Sequence, residues 1–144
     1  MSLTPILLGL GSNADREQHL WAGLDALSVL LPGLKCSPVF ESEPVGIKSG
    51  PFLNLVVLTQ TPMSLAELDR QLKSIEADSG RYAPGRKDLP LDIDILLYGD
   101  RVGVFDGLLL PREEILHNAF VLWPLALLVP NWVHPREGRT FAEL

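Results

Sequence analysis

Apolar positions along this chain switch repeatedly between strand-like and helix-like spacing. Thr4 to Leu10 is an apolar run ending in Gly9-Leu10-Gly11-Ser12-Asn13, a strand entering a turn in which Gly9 and Gly11 serve as turn residues. Leu20, Leu24, Leu27 and Leu31 then recur at helical spacing with Trp21 beside them. Asp15 and Gln18 form a capping box ahead of them, and Pro32-Gly33 stops the helix. Lys35 to Glu41 predicts a second strand and Phe52 to Gln60 a stronger third, with the breaker-rich loop Glu43 to Pro51 between them. Ser64 and Glu67 form a second capping box, and Leu65, Leu68, Leu72 and Ile75 carry a helix to about Asp78. Gly80 ends it, Arg81 to Pro90 is an irregular loop, and Leu91 to Leu97 reads as a strand before a Gly99-Asp100 turn. Short helices are expected near Arg112–Leu116 and Pro124–Leu128, with Pro124 at a first helical position and Val133 in a short final strand.

The resulting order, β-α-β-β-α-β plus a C-terminal extension, predicts one α+β domain over residues 1–144. Its expected architecture is a ferredoxin-like antiparallel sheet with helices on one face. The other face is left to a ligand or to the C-terminal segment. A chain of 144 residues, 47% of them hydrophobic, can bury a substantial core. The net charge of −6 disfavours non-specific binding to nucleic acid or anionic membrane. The longest apolar run, Ala119 to Val129, is broken by Pro124 and falls short of the roughly 20 residues that span a bilayer. With Cys36 the sole cysteine and no N-terminal secretory pattern, a cytoplasmic, monomeric protein is expected, without membrane or nucleic-acid partners.

Chemistry concentrates in Leu91-Asp92-Ile93-Asp94-Ile95-Leu96-Leu97. Strand alternation puts Asp92 and Asp94 on one face and Ile93, Ile95 and Leu97 on the other. At a separation of about 6 Å, two carboxylates repel by about 3 kcal/mol at an effective dielectric of roughly 20. A divalent cation is the simplest compensator, and magnesium suits one or two carboxylates plus substrate phosphates. The bland alternative is a solvated strand face. Arg81, Arg86 and Lys87 place three of the twelve basic residues in the loop just before this strand, either as phosphate-facing cations or as solvated loop charges. Asn54 interrupts an otherwise apolar strand and shares a face with Phe52. An aromatic ring beside an amide suits a flat heterocycle, although Asn54 bonded only to nearby backbone is the rival reading. Phe120 is a second stacking ring or a core residue, and Glu76 is a loop- or substrate-orienting acid or an exposed helix glutamate.

Taken together, these segments resemble the 6-hydroxymethyl-7,8-dihydropterin pyrophosphokinases of folate biosynthesis nearly end to end. The likeness runs through Leu10-Gly11-Ser12-Asn13, Ser42-Glu43-Pro44-Val45-Gly46, Phe52-Leu53-Asn54, Ile75-Glu76 with Gly80-Arg81, Leu91-Asp92-Ile93-Asp94-Ile95, Leu97-Tyr98-Gly99 and Phe120-Val121-Leu122-Trp123-Pro124-Leu125. The resemblance implies transfer of a pyrophosphoryl group from ATP to a pterin hydroxymethyl, with Asp92 and Asp94 holding two Mg²⁺ ions and Arg81 assisting at the phosphates. It also implies that Ser42, Val45, Phe52, Asn54 and Phe120 contact the pterin, and that Glu76, Arg81, Arg86, Lys87 and Arg112 lie at ATP.

Departures from the family pattern fall in the loop and after Pro111. The loop before the aspartates is shorter, has no tryptophan, and carries Leu89 where the family has an arginine. Glu113 and Asn118 replace groups of hydrogen-bonding or positive character expected near ATP. These differences favour a rival reading, a pterin- or nucleotide-binding relative without transfer. An RNA-binding module shares the strand order, but the acidic balance and missing aromatic strand signature argue against it.

Overall fold

The computed structural model describes residues 3–31, 33–42 and 51–144. Val45, most of the Glu43–Pro51 loop and Pro32 lie outside them. The described elements are β1 (Thr4–Ser12), α1 (Arg16–Leu30), β2 (Lys35–Cys36), β3 (Phe40–Ser42), β4 (Phe52–Thr61), α2 (Leu65–Asp78), β5 (Asp92–Tyr98), β6 (Gly103–Phe105), β7 (Leu108–Leu110), α3 (Glu114–His117) and α4 (Ala119–Leu128). Strands β2, β4, β1 and β5 are neighbours in that order, with β3 also on β4, and every pairing is antiparallel. That is the expected ferredoxin-like arrangement, with β5 on an edge. No helix among the described residues is long and apolar enough to cross a membrane.

The sheet has two differently used faces. Ile6, Leu8, Leu10, Leu55, Val57, Ile93 and Ile95 point to one face and pack under Leu20 and Leu27 of α1 and Leu65, Leu68 and Leu72 of α2. Leu7, Val56, Leu96 and Leu97 point to the other, against Ile115, Leu125, Val129 and Phe141. Residues alternate along β1 because period-two side chains must serve both faces. Among the described residues, the second face is thus covered at one end only.

Several expectations are corrected by local geometry. In α1, Asp15 stands at the N-cap with φ 42°, and its side chain caps nothing. A capping side chain needs an extended backbone, so the Asp15–Gln18 box does not form. Ser64 has that backbone, and it accepts from the Glu67 N–H at 3.2 Å. The expected strand Lys35–Glu41 is two short strands. Between them, the Ser37 hydroxyl takes the Val56 N–H at 2.9 Å, and Pro38 has no N–H to offer β4.

Leu97 does not share a face with Ile93 and Ile95. Leu8 pairs with Ile95 and Leu7 with Leu97, so Leu96 is an extra residue and a bulge turns both leucines to the second face. Pro124 lies inside α4 rather than at its start, because Asn118 caps the helix earlier. Gly9 and Gly11 are strand residues within β1, not turn residues. Val133 forms an isolated bridge to Thr140 rather than a strand.

Candidate active site: two cavities that share an acid pair

The uncovered end of the second face carries a row of residues that cross the sheet. Asn54 on β4 pairs with Gly11 on β1, and Gly11 pairs with Asp92 on β5. One step along, Val56, Gly9 and Asp94 repeat the row. Adjacent strands lie about 4.8 Å apart, so Asn54 and Asp92 stand roughly 10 Å from each other across bare glycine. A Cβ on Gly11 would meet the Asn54 Oδ1 at 3.1 Å and Phe52 at 3.5 Å. Glycine in the strand therefore opens the floor of a cavity, as glycine does where a ligand or another backbone approaches closely. Sequence reading missed these two residues, although two glycines at alternate strand positions are a signal of that kind.

A cavity of about 340 Å³ stands on this floor. Ser42, Phe52, Asn54, Phe120, Asp92 and Asp94 line it together with Arg112 and Asn118. Asn54 is not bonded to backbone alone; its amide Nδ2 donates to the Ser42 hydroxyl at 2.6 Å. Asn118 accepts from the Phe120 N–H at 2.9 Å, which fixes the start of α4 and the aromatic ring it carries. Leu89 closes one side, held because its N–H donates to the Asn13 side chain at 2.7 Å while its carbonyl accepts the Asn13 N–H at 3.0 Å.

A second cavity of about 200 Å³ lies off the edge of β5, lined by Lys73, Glu76, Arg81, Tyr82, Leu108 and Arg112. Asp92 and Asp94 line this one too, so the acid pair and Arg112 form the boundary between an aromatic pocket and a polar one. Arg81 Nη1 donates to Asp92 Oδ1 at 2.8 Å and also contacts Glu76. Its pKa is raised: burial opposes the charge, but Asp92 and Glu76 outweigh burial. Arg112 Nη2 stands 3.5 Å from Asp94 Oδ1 and its Nε contacts Glu114. Burial pushes the Asp94 carboxyl up to about 7, with the charge of Asp92 adding to the shift and Arg112 opposing it. The Tyr82 hydroxyl, donating to Glu76 Oε1 at 2.6 Å, is pushed up to about 12 by desolvation and by that bond.

Other expected contacts fall outside these cavities. Arg86 pairs with Asp88 at 2.5 Å, and neither Arg86 nor Lys87 lines either space. Glu113 is exposed at the start of α3. Among the described residues, no group of three or more metal-ligating side chains converges. The acid pair nevertheless suits a hard cation that takes one or two carboxylates and completes its shell with water and phosphate oxygens. The raised Asp94 pKa reflects burial first and the charge of Asp92 second, with Arg112 opposing the shift.

Comparison with known proteins shows the family of the chain. Residues 7–130 match the family model for 7,8-dihydro-6-hydroxymethylpterin-pyrophosphokinase (HPPK). The 2-amino-4-hydroxy-6-hydroxymethyldihydropteridine pyrophosphokinase of Aquifex aeolicus is 34% identical over 92% of this chain and 85% of its own. The enzyme of the same name from Pseudomonas aeruginosa is 35% identical over 96% and 88%, and that from Synechocystis 32% over 96% and 73%. Crystal structures of Plasmodium falciparum HPPK-DHPS share the fold: the wild type with pteroate has a TM-score of 0.70 at 13% identity, covering 98% of this chain and 41% of that one. This chain therefore spans about two-fifths of those longer proteins. The match over nearly its whole length means that the chain belongs to the 7,8-dihydro-6-hydroxymethylpterin-pyrophosphokinase family.

Proposed function

We propose that this chain, acting as one domain, transfers a pyrophosphoryl group from ATP to 6-hydroxymethyl-7,8-dihydropterin. The observation that carries the reading is the shared boundary: Asp92 and Asp94 line both an aromatic, amide-bearing cavity and a second, charged one in which Lys73, Arg81 and Arg112 stand among acids. The flat pterin fits the first, over Gly9 and Gly11 and between Phe52 and Phe120, with Asn54 reading its edge. ATP fits the second, its phosphates toward Arg81, Lys73 and Arg112. In the reaction the pterin hydroxyl oxygen bonds to the β-phosphorus, the bond from that phosphorus to the α,β-bridging oxygen breaks, AMP leaves, and the hydroxyl proton is released.

Positioning and charge compensation dominate such a transfer, because little covalent chemistry is asked of the protein. Two Mg²⁺ ions on Asp92 and Asp94 would neutralise phosphate oxygens. Arg81 and Arg112 keep the carboxylates facing the boundary and supply fixed positive charge beside it. Phe120 and Leu89 exclude water from the pocket where the hydroxymethyl group sits. Asp92→Asn and Asp94→Asn should each lower AMP formation from ATP, Mg²⁺ and the pterin at least about a hundredfold while remaining folded. Near-normal rates in both would remove the reading.

Ligand binding without transfer is the second reading, favoured by the placement of Arg86 on Asp88 and away from both cavities. Calorimetric binding of ATP and pterin with no AMP released under any metal condition would select it.

A further inference from the structure

One carboxylate beside the acid pair is wholly engaged in holding other groups in place. Glu76, in the last turn of α2, is 4% exposed. Its Oε2 accepts the main-chain N–H of Ile93 at 2.8 Å and contacts Arg81, while its Oε1 accepts the Tyr82 hydroxyl at 2.6 Å. Ile93 is the residue between Asp92 and Asp94. Because β5 is an edge strand, that N–H points off the sheet where no neighbouring strand can take it. The Arg81 nitrogen that touches Glu76 also bonds Asp92 at 2.8 Å and reaches the Leu91 carbonyl at 3.4 Å. Glu76 thus fixes the aspartates twice, through the backbone between them and through the cation on the first.

Packing alone does not account for this residue. Burying a carboxylate is costly unless donors compensate it. Water can satisfy an edge N–H without a carboxylate, and the apolar face of α2 is already supplied by Leu65, Leu68 and Leu72.

We propose that Glu76 is a positioning residue for pyrophosphoryl transfer: it sets the spacing and facing of Asp92 and Asp94 toward metal-bound ATP and touches no substrate itself. This inference rests on the transfer reading above. It assigns Glu76 an action through the aspartates rather than a direct contact with ATP.

The test titrates Mn²⁺ with a non-hydrolysable ATP analogue into the wild type, Glu76→Gln and Glu76→Asp, with the pterin titrated separately and melting followed for each. Glu76→Gln should weaken the metal–nucleotide complex by about tenfold or more, the usual effect of losing a group that orients metal ligands. It should lower kcat in step, yet leave pterin affinity within about twofold, since the pterin pocket lies across the boundary. Glu76→Asp keeps the charge beside Arg81 but falls one methylene short of the Ile93 N–H, so it should give a smaller loss of the same kind. If Glu76→Gln does not fold, Glu76→Asp is judged by the same criteria. Either folded variant holding the metal–nucleotide complex as the wild type does would overturn the inference. So would a parallel loss of pterin and nucleotide affinity, which a merely structural role produces. A wild-type chain that binds no metal–nucleotide complex removes the transfer reading, and this inference with it.

Discussion

Gly11 separates the amide of Asn54 from the carboxylate of Asp92, and its missing side chain is what makes the site a cavity. Asn54 cannot retreat from a new methyl group without giving up its 2.6 Å bond to Ser42. Gly11→Ala should therefore lower pterin affinity by about tenfold, equivalent to about 1.4 kcal/mol, as read by calorimetry. Metal–nucleotide affinity should change far less. Asp94 offers a second single-residue test. Its folded-state pKa of about 7 lies above the ordinary carboxylate value of about 3.9. Between those limits the folded chain holds a proton that the unfolded chain has lost, so stability falls as pH rises through this window. The melting temperature of metal-free wild type, relative to Asp94→Asn, should drop between pH 5 and pH 8. Added Mg²⁺ and nucleotide should restore more at pH 8 than at pH 6, since metal competes with that proton. A difference between the two proteins that stays flat with pH would remove the titration. The acid pair was legible in the sequence because charge at alternate positions of a greasy strand has few uses. Glu76 was not legible, because a glutamate beside an apolar stripe carries no mark of burial until the edge of β5 is placed against it.

At the level of elements, the site depends on how α4 starts and how β5 bends. Asn118 caps α4 through the Phe120 N–H, and Val121 and Leu122 then bond back to the Asn118 carbonyl, both at 3.0 Å. Pro124, the sixth residue of the helix, has no N–H for the Phe120 carbonyl. The cap therefore carries much of the ordering of this first turn. Asn118→Ala should cost about 1 kcal/mol in urea unfolding and weaken pterin binding through a looser Phe120. A stability loss with unchanged pterin affinity would show that the ring is held by packing alone. Strand and helix order was readable from periodicity, but three details escaped that reading. The bulge at Leu96 breaks strict alternation, and no residue at that point announces it. The hairpin of β6 and β7 does have a sequence sign, Asp106-Gly107, whose φ values of 51° and 79° suit a tight turn. Pro124 looked like a helix start because proline favours that position, and the stronger cap at Asn118 overrode the preference.

At the level of the whole molecule, one sheet face is divided between structure and chemistry. Ile115, Leu125, Val129 and Phe141 cover its Leu7–Leu97 end, and among the described residues the glycine and aspartate end is left open. The covering segment carries Asn118 and Phe120, whereas α2 and β5 supply most of the lining of the second, charged cavity. The two substrate halves should thus respond differently when the cover is loosened. Phe141 is 1% exposed, and its N–H bonds the Trp132 carbonyl at 3.0 Å, anchoring the C-terminal segment under α4. Phe141→Ala removes a fully buried ring and should cost about 3–5 kcal/mol in urea unfolding. In the fraction that remains folded, pterin affinity should fall by several-fold, because α4 no longer has a fixed floor. Nucleotide affinity should hold, since the α2 face packs on the opposite side of the sheet with its own core. Equal loss of both ligands would mean that the sheet transmits the disturbance, and that the acid pair is less independently fixed than Glu76 and Arg81 imply.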